Sequence, residues 1–260
     1  MSTRKAFSLM APCALALAVV ACGGEAKEET APPATTAAAY GAGTAGAAAL
    51  GNGAITGKIA FEGTAPAPEK VKVSADPKCQ SMHPQGLEKQ AVEVKGGGLA
   101  HVFVWVKSGV SGSYPAPAEP VVLDQQGCTY HPHVIGVQTA QSIKIRNSDE
   151  TLHNIHPRPT LNREFNIGQP RQGMESTKSF DKQEIMIPVG CDVHPWMRAY
   201  ISVVSHPFFA VSKEDGTYEI EGLPAGDYEI EAYHEKLKAQ TQKVTVKDGD
   251  RAKLDFTFKS

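Results

Sequence analysis

Three observations predict an all-β chain. From residue 53 onward, short runs alternate apolar with polar residues, turn-forming clusters separate those runs, and no long amphipathic helical pattern interrupts them. The first run covers 55–61 and stops at Gly63. The second, 100–107 (AHVFVWVK), is dense in β-branched and aromatic residues, and 141–146 (QSIKIR) and 184–189 follow the same pattern. The last fifty residues are the most regular. Runs at 218–221, 227–233, 241–246 and 252–258 are divided by Glu214-Asp215-Gly216, Leu223-Pro224-Ala225-Gly226 and Lys247-Asp248-Gly249. Short strands joined by short turns build layered sandwiches. Asp215 and Glu221 read as a turn carboxylate and a solvent-face carboxylate rather than as acids for chemistry.

The N-terminal residues set the compartment. Arg4 and Lys5 precede an apolar stretch over 7–20, which is short for a membrane span and reads as the core of a signal peptide, 1–22. It ends in Val19-Val20-Ala21-Cys22-Gly23, which resembles the lipobox of bacterial lipoproteins. That resemblance implies that Cys22 is acylated and becomes the new N-terminus. Acyl chains contribute about 0.8 kcal/mol per buried methylene, so several of them would anchor the chain to a membrane. Gly23 stands where lipoproteins kept at the inner membrane often carry Asp, which favours the outer membrane and a periplasmic or cell-surface location. Residues 23–52 are mostly Gly, Ala, Thr, Pro and Glu, and read as a flexible linker with an end-to-end distance of roughly 30 Å.

A net charge of −2 without any basic stripe excludes nucleic acid as a partner. The sequence holds five cysteines. Cys13 leaves with the signal and Cys22 carries lipid, so Cys79, Cys128 and Cys191 remain. An odd count in an oxidising compartment implies one pair and one special thiol.

Chemistry concentrates in Cys191-Asp192-Val193-His194-Pro195-Trp196-Met197. A thiolate, an imidazole and a thioether recur at steps of three within one short loop, and a second imidazole lies upstream in Leu152-His153-Asn154-Ile155-His156. Two His and one Cys with a distant axial Met make a type 1 (blue) copper site that transfers single electrons. Zinc suits Cys and His but has little use for a thioether. His156 is the alternative to His153. Three residues apart on a strand, the two point to opposite faces, so only one can serve.

These motifs resemble the cupredoxins, and among them the amicyanin-like type. Cys191-x-x-His194-Pro195-aromatic-Met197 matches that family's short ligand loop. His153-Asn154-Ile155-His156 matches its upstream segment, with Leu152 in place of a proline. The resemblance spans a domain at 120–205 and implies a Greek-key β-sandwich. It implies one copper held by His153, Cys191, His194 and Met197, with Asn154 tying the two ligand segments together, and redox proteins as partners. Val189 stands two residues before the cysteine, where the family usually has an aromatic. Pro195 and Trp196 are expected to surround an edge-exposed His194 imidazole as a docking face.

The tail, Ala210-Val211-Ser212-Lys213-Glu214-Asp215-Gly216-Thr217-Tyr218 and then Gly222-Leu223-Pro224-Ala225-Gly226-Asp227-Tyr228, resembles the carboxypeptidase regulatory-like domain, a transthyretin-like sandwich. Such domains begin with strands like Ile55-Thr56-Gly57-Lys58-Ile59 and 102–106. Residues 53–112 and 206–260 are therefore expected to form one split sandwich with the copper domain inserted, a tandem arrangement being the competing parse.

Cys79 and Cys128 form the natural disulfide, tying the sandwich to the start of the insert. A second metal site at Cys79, Met82 and His83, or at His131 and His133 near Cys128, is the sharper alternative. His101, His206 and His234 read as histidines with satisfied hydrogen bonds. No phosphate-cradling glycine loop, Gly-x-Ser-x-Gly elbow or His-Glu-x-x-His motif is present, so no enzymatic activity is expected. Two rival readings stay open, a copper chaperone or storage protein and a metal-free structural surface lipoprotein.

Overall fold

The computed structural model describes residues 47–260. The expected signal peptide, Cys22 and most of the expected linker lie outside the described residues. Ala48 and Gly51, at the end of that linker, already join the fold, donating from their backbone N–H groups to Ser113 O and Gly222 O at 2.8 Å each. Among the described residues no helix is long and apolar enough to cross a membrane.

Among the described residues the architecture is all-β with one short helix, Pro77–Met82. Four larger sheets pack as two sandwiches, and the strand pairings separate the chain into an outer part and a middle part. In the outer sandwich, Gly53–Glu62 pairs antiparallel with Thr217–Leu223 and parallel with Arg251–Lys253 and Phe256–Lys259. The facing sheet centres on Phe103–Ser108, which lies between Phe209–Val211 and Gly226–His234, with Lys238–Val246 on the edge. Alternation makes this work. Along Thr217–Leu223, Tyr218 and Ile220 point inward and are buried, while Glu219 and Glu221 are exposed. Ile55, Ile59, Val104, Val106, Ile230, Phe256 and Phe258 fill the core between the sheets, each worth about 1.5–3 kcal/mol of transfer free energy.

The strand Phe103–Ser108 is apolar on both faces for a physical reason. Val104 and Val106 face its own sandwich, while Phe103 and Trp105 pack with Val134, Met186 and Val204 of the middle part.

In the middle part, one sheet runs Glu175–Lys178, Ile143–Asn147, Val121–Gln126 and Thr129–His131. The other runs Ile167–Gln169, His153–Pro157, Glu184–Gly190, Arg198–Val204 and Val134–Gln138. Two of these pairings are parallel, Val121–Gln126 with Ile143–Asn147 and Val134–Gln138 with Arg198–Val204. Leu123, Ile143, Ile145, Ile155, Ile187, Ile201 and Val203 form the core between the two sheets.

Candidate metal centre

The strands Glu184–Gly190 and Arg198–Val204 are antiparallel neighbours, and Gly190 pairs with Arg198. Residues 191–197 are thus a closed loop at one end of the sheet, which folds its side chains back toward a single point. His153 opens the adjacent strand, His153–Pro157, whose His156 pairs with Gly190.

The structure brings three of the predicted ligands together. His153, Cys191 and His194 are all buried, and one ligand atom of each lies within 4.8 Å of the others. The Nδ1 atoms of His153 and His194 are 2.9 Å apart. Cys191 Sγ is 3.8 Å from His194 Nδ1 and accepts the His194 backbone N–H at 3.3 Å. Met197 is buried in the same core, and its backbone N–H closes a turn onto His194 O at 2.9 Å. Burial alone would raise the Cys191 thiol, but the neighbouring His153 and His194 side chains and nearby backbone groups outweigh it and hold the thiol at about 6.

Asn154 joins the two segments. Its Oδ1 accepts the backbone N–H of Asp192 at 2.7 Å and that of Val193 at 3.4 Å, and it lies 3.2 Å from Cys191 Sγ. Tyr130 adds a second tie, its hydroxyl meeting Asn154 O at 2.5 Å and Gly190 O at 3.0 Å. His156 lies outside this cluster. Its ring is held by Asp192 and Glu164 at the surface, as two-residue strand periodicity requires.

The outer nitrogens of both imidazoles meet groups that sequence reasoning missed. His153 Nε2 lies 2.9 Å from Asp149 Oδ2, and His194 Nε2 lies 3.2 Å from Asp76 Oδ2. Burial raises the Asp76 carboxyl, but bonds from Cys79, Thr151, His194 and Lys78 bring it down to about 2. Asp76 caps the helix Pro77–Met82, which carries Cys79 to within 3.8 Å of His194 Nε2. Asp76-Pro77 was a helix-start signal in the sequence, but nothing placed it beside residue 194.

This cap changes one expectation. His194 is only 1% exposed, so its edge is covered by Asp76 and the bridged Cys79 and does not reach solvent. Trp196 is likewise buried, donating its indole N–H to Cys128 O at 3.1 Å. The apolar groups that do reach the surface at this loop are Pro195, as expected, and Val193, 45% exposed.

Cys79 and Cys128 are joined by a disulfide, and Cys191 is a free, buried thiol. The alternative second metal set is therefore dispersed. Met82 is exposed, His83 Nε2 meets Gly127 O at 2.8 Å, His131 pairs with Thr129 Oγ1 and His133 with Glu235. His101, His206 and His234 have hydrogen-bond partners in Glu93, Val106 O and the backbone N–H of Lys236.

The donor set fits a soft transition ion. Carboxylates only accept hydrogen bonds, so Asp149 and Asp76 draw the ring protons to Nε2 and leave two Nδ1 lone pairs and a thiol of lowered pKa facing one small space. A cation there relieves the repulsion between those groups, and a sulfur donor with two imidazoles selects soft and borderline metals.

The family model of the carboxypeptidase regulatory-like domain matches residues 194–259, a stretch that also takes in part of the loop 191–197. No curated protein matches the chain. Among solved structures, a purple cupredoxin from Nitrosopumilus maritimus is 17% identical at a TM-score of 0.28, over 32% of this chain and 98% of that one. A mutant of amicyanin in its Cu(I) form is 18% identical at 0.30, over 40% and 98%. A Cu-containing nitrite reductase from Thermus scotoductus SA-01 is 19% identical at 0.29, over 38% of this chain and only 25% of the reductase. Residues 194–259 are thus similar to a carboxypeptidase regulatory-like domain, and cupredoxins are among the structural neighbours of the chain.

Proposed function

We propose that the chain holds one copper ion through His153, Cys191, His194 and Met197 and passes single electrons between redox partner proteins. The observation that carries this reading is the convergence of His153 Nδ1, His194 Nδ1 and Cys191 Sγ in one buried cluster. Bound copper would supply the one-electron couple there, with the thiolate as its strongest electronic link to the protein. The chain's own residues do the rest. The loop 191–197 and the strand at His153 set the donor geometry, Asn154 locks one to the other, and the surrounding core keeps water away. A frame that does not rearrange when the ion changes charge lowers the barrier to electron transfer.

In the same reading the chain is exported and fastened to a bacterial membrane by lipid on Cys22, and is a carrier rather than an enzyme. The decisive experiment adds Cu(II) to the purified protein and to Cys191→Ser. The expected result is an intense blue colour that disappears in the variant, with copper retained through cycles of reduction and oxidation. A colourless wild-type protein would overturn the reading, and rapid surrender of Cu(I) to a chelator would favour a chaperone instead.

A further inference from the structure

We propose that Asp76 and Asp149 are the positioning residues of this centre, and that the Cys79–Cys128 bridge holds the two carboxylates in register over the imidazole pair. The inference rests on the copper reading for its purpose, but its geometry stands on its own.

The arrangement is two-fold in character. Asp76 Oδ2 faces His194 Nε2 at 3.2 Å, and Asp149 Oδ2 faces His153 Nε2 at 2.9 Å. Each carboxylate also grips the backbone of one half of the disulfide. Asp76 Oδ1 accepts the N–H of Lys78 at 2.7 Å and of Cys79 at 3.0 Å. Asp149 accepts the N–H of Gly127 and of Cys128, each at 2.8 Å. The bridge between Cys79 and Cys128 then connects the two carboxylate cradles covalently. A further strut runs from Thr151 Oγ1 to Asp76 Oδ2 at 2.8 Å, beside the segment that leads into His153.

The chemistry follows from the hydrogen-bonding inventory. A carboxylate offers only acceptors, so each ring must present an N–H at Nε2. The neutral imidazole then has its lone pair at Nδ1, and both Nδ1 atoms point at the same space as Cys191 Sγ. Ring orientation and tautomer are thereby fixed before any ion arrives, which is what an outer partner does for a metal-bound histidine. The two aspartates come from segments far apart in sequence, and the disulfide, with the Thr151 strut beside it, ties those segments together.

The test compares Asp76→Ala and Asp149→Ala with Asp76→Asn and Asp149→Asn in the full chain, together with a Cys79→Ser/Cys128→Ser variant. The first readout needs no copper. Nitrogen NMR of the metal-free wild type at alkaline pH should show both His153 and His194 protonated at Nε2, and the alanine variants should lose that preference at the ring concerned. The second readout is copper affinity, expected to fall by about 10–100-fold in each alanine variant and by less in the asparagine variants, which keep an acceptor oxygen. The bridge variant should broaden the signals of both rings together. Either ring protonated only at Nδ1 in the wild type, or folded alanine variants with wild-type tautomers, would overturn the proposal. Should an alanine variant not fold, the wild-type spectrum and the asparagine variants decide. A wild type that shows the expected tautomers yet takes up no copper would sink the functional reading and leave the positioning role standing.

Discussion

His153 Nδ1 and His194 Nδ1 lie 2.9 Å apart, and each ring's other nitrogen is committed to an aspartate. Two lone pairs held this close are stable only around a proton or a cation. Copper is therefore expected to stabilise the folded chain, by about 2.7 kcal/mol at a free concentration one hundred times the dissociation constant. Thermal unfolding with and without Cu(I) checks this. His153→Ala should show no such gain, and an equal gain in that variant would place the ion elsewhere.

Asn154 supplies one oxygen to two backbone N–H groups of the ligand loop. Asn154→Ala removes both of these part-buried bonds, at a cost of about 1 kcal/mol each. Urea denaturation of the metal-free protein should register the loss, because the bonds do not need an ion. An unchanged midpoint would mean that the loop is held by other contacts.

The disulfide closes a sequence separation of 49 residues. In the chain-entropy account, that constraint stabilises the fold by about 4 kcal/mol. Denaturation of the Cys79→Ser/Cys128→Ser variant against the wild type measures it, and a difference below about 1 kcal/mol would show that the linked segments stay ordered in the unfolded chain.

His234 sits in the outer sandwich, 1% exposed, with its Nδ1 accepting the N–H of Lys236 at 3.2 Å. Burial is the main cause that brings its pKa from 6.5 to about 4, assisted by His101, His133 and Lys236 and opposed by Glu235. Between those two values the unfolded chain binds the proton that the folded chain refuses. Stability is thus fully present above about pH 6.5 and drains away as pH falls toward 4, by about 3 kcal/mol in all. Unfolding midpoints across this window should trace the slope, and His234→Gln should flatten it. Identical pH profiles for the two proteins would assign the titration elsewhere.

Gly57 lies where the first strand crosses residue 254, and a Cβ there would meet Leu254 O at 1.8 Å and Tyr218 Cε1 at 2.8 Å. Leu254 N in turn donates to Thr56 O at 2.9 Å. Gly57→Ala should force these strands apart and cost about 1–3 kcal/mol, read as a lower urea midpoint. A wild-type midpoint would show that the C-terminal strand gives way freely.

The sequence made some of this legible and hid the rest for definable reasons. The run 218–221 alternates cleanly because one face meets a core and the other meets water, so its strand was readable. The run 100–107 announced a strand but not its setting, since continuous apolarity does not say that Phe103 and Trp105 face a second body. The clustering of Cys191 with His194 was legible because both lie in one short loop, and Asn154 because it adjoins His153. Asp76 was not, since it is 118 residues from the imidazole it touches and lies at the start of a six-residue helix too short to show periodicity. The parallel pairing of 134–138 with 200–204 was equally hidden, because a parallel partner leaves no turn signature between the strands.

The backbone bonds at the 139–142 turn have a consequence for the order of folding. Val121 N donates to Ser142 O at 2.9 Å, and Thr139 N donates to Val204 O at 2.8 Å, so one turn gathers both ends of the middle part. Just beyond them, Tyr114 and Phe208 meet edge to face at 5.0 Å inside the outer core. A chain that collapses first over 121–204 delivers residues 105 and 209 side by side. The strands at Phe103–Ser108 and Phe209–Val211 then find each other as if they were a hairpin, and the entropy of closing a hundred-residue loop has already been met within the smaller unit.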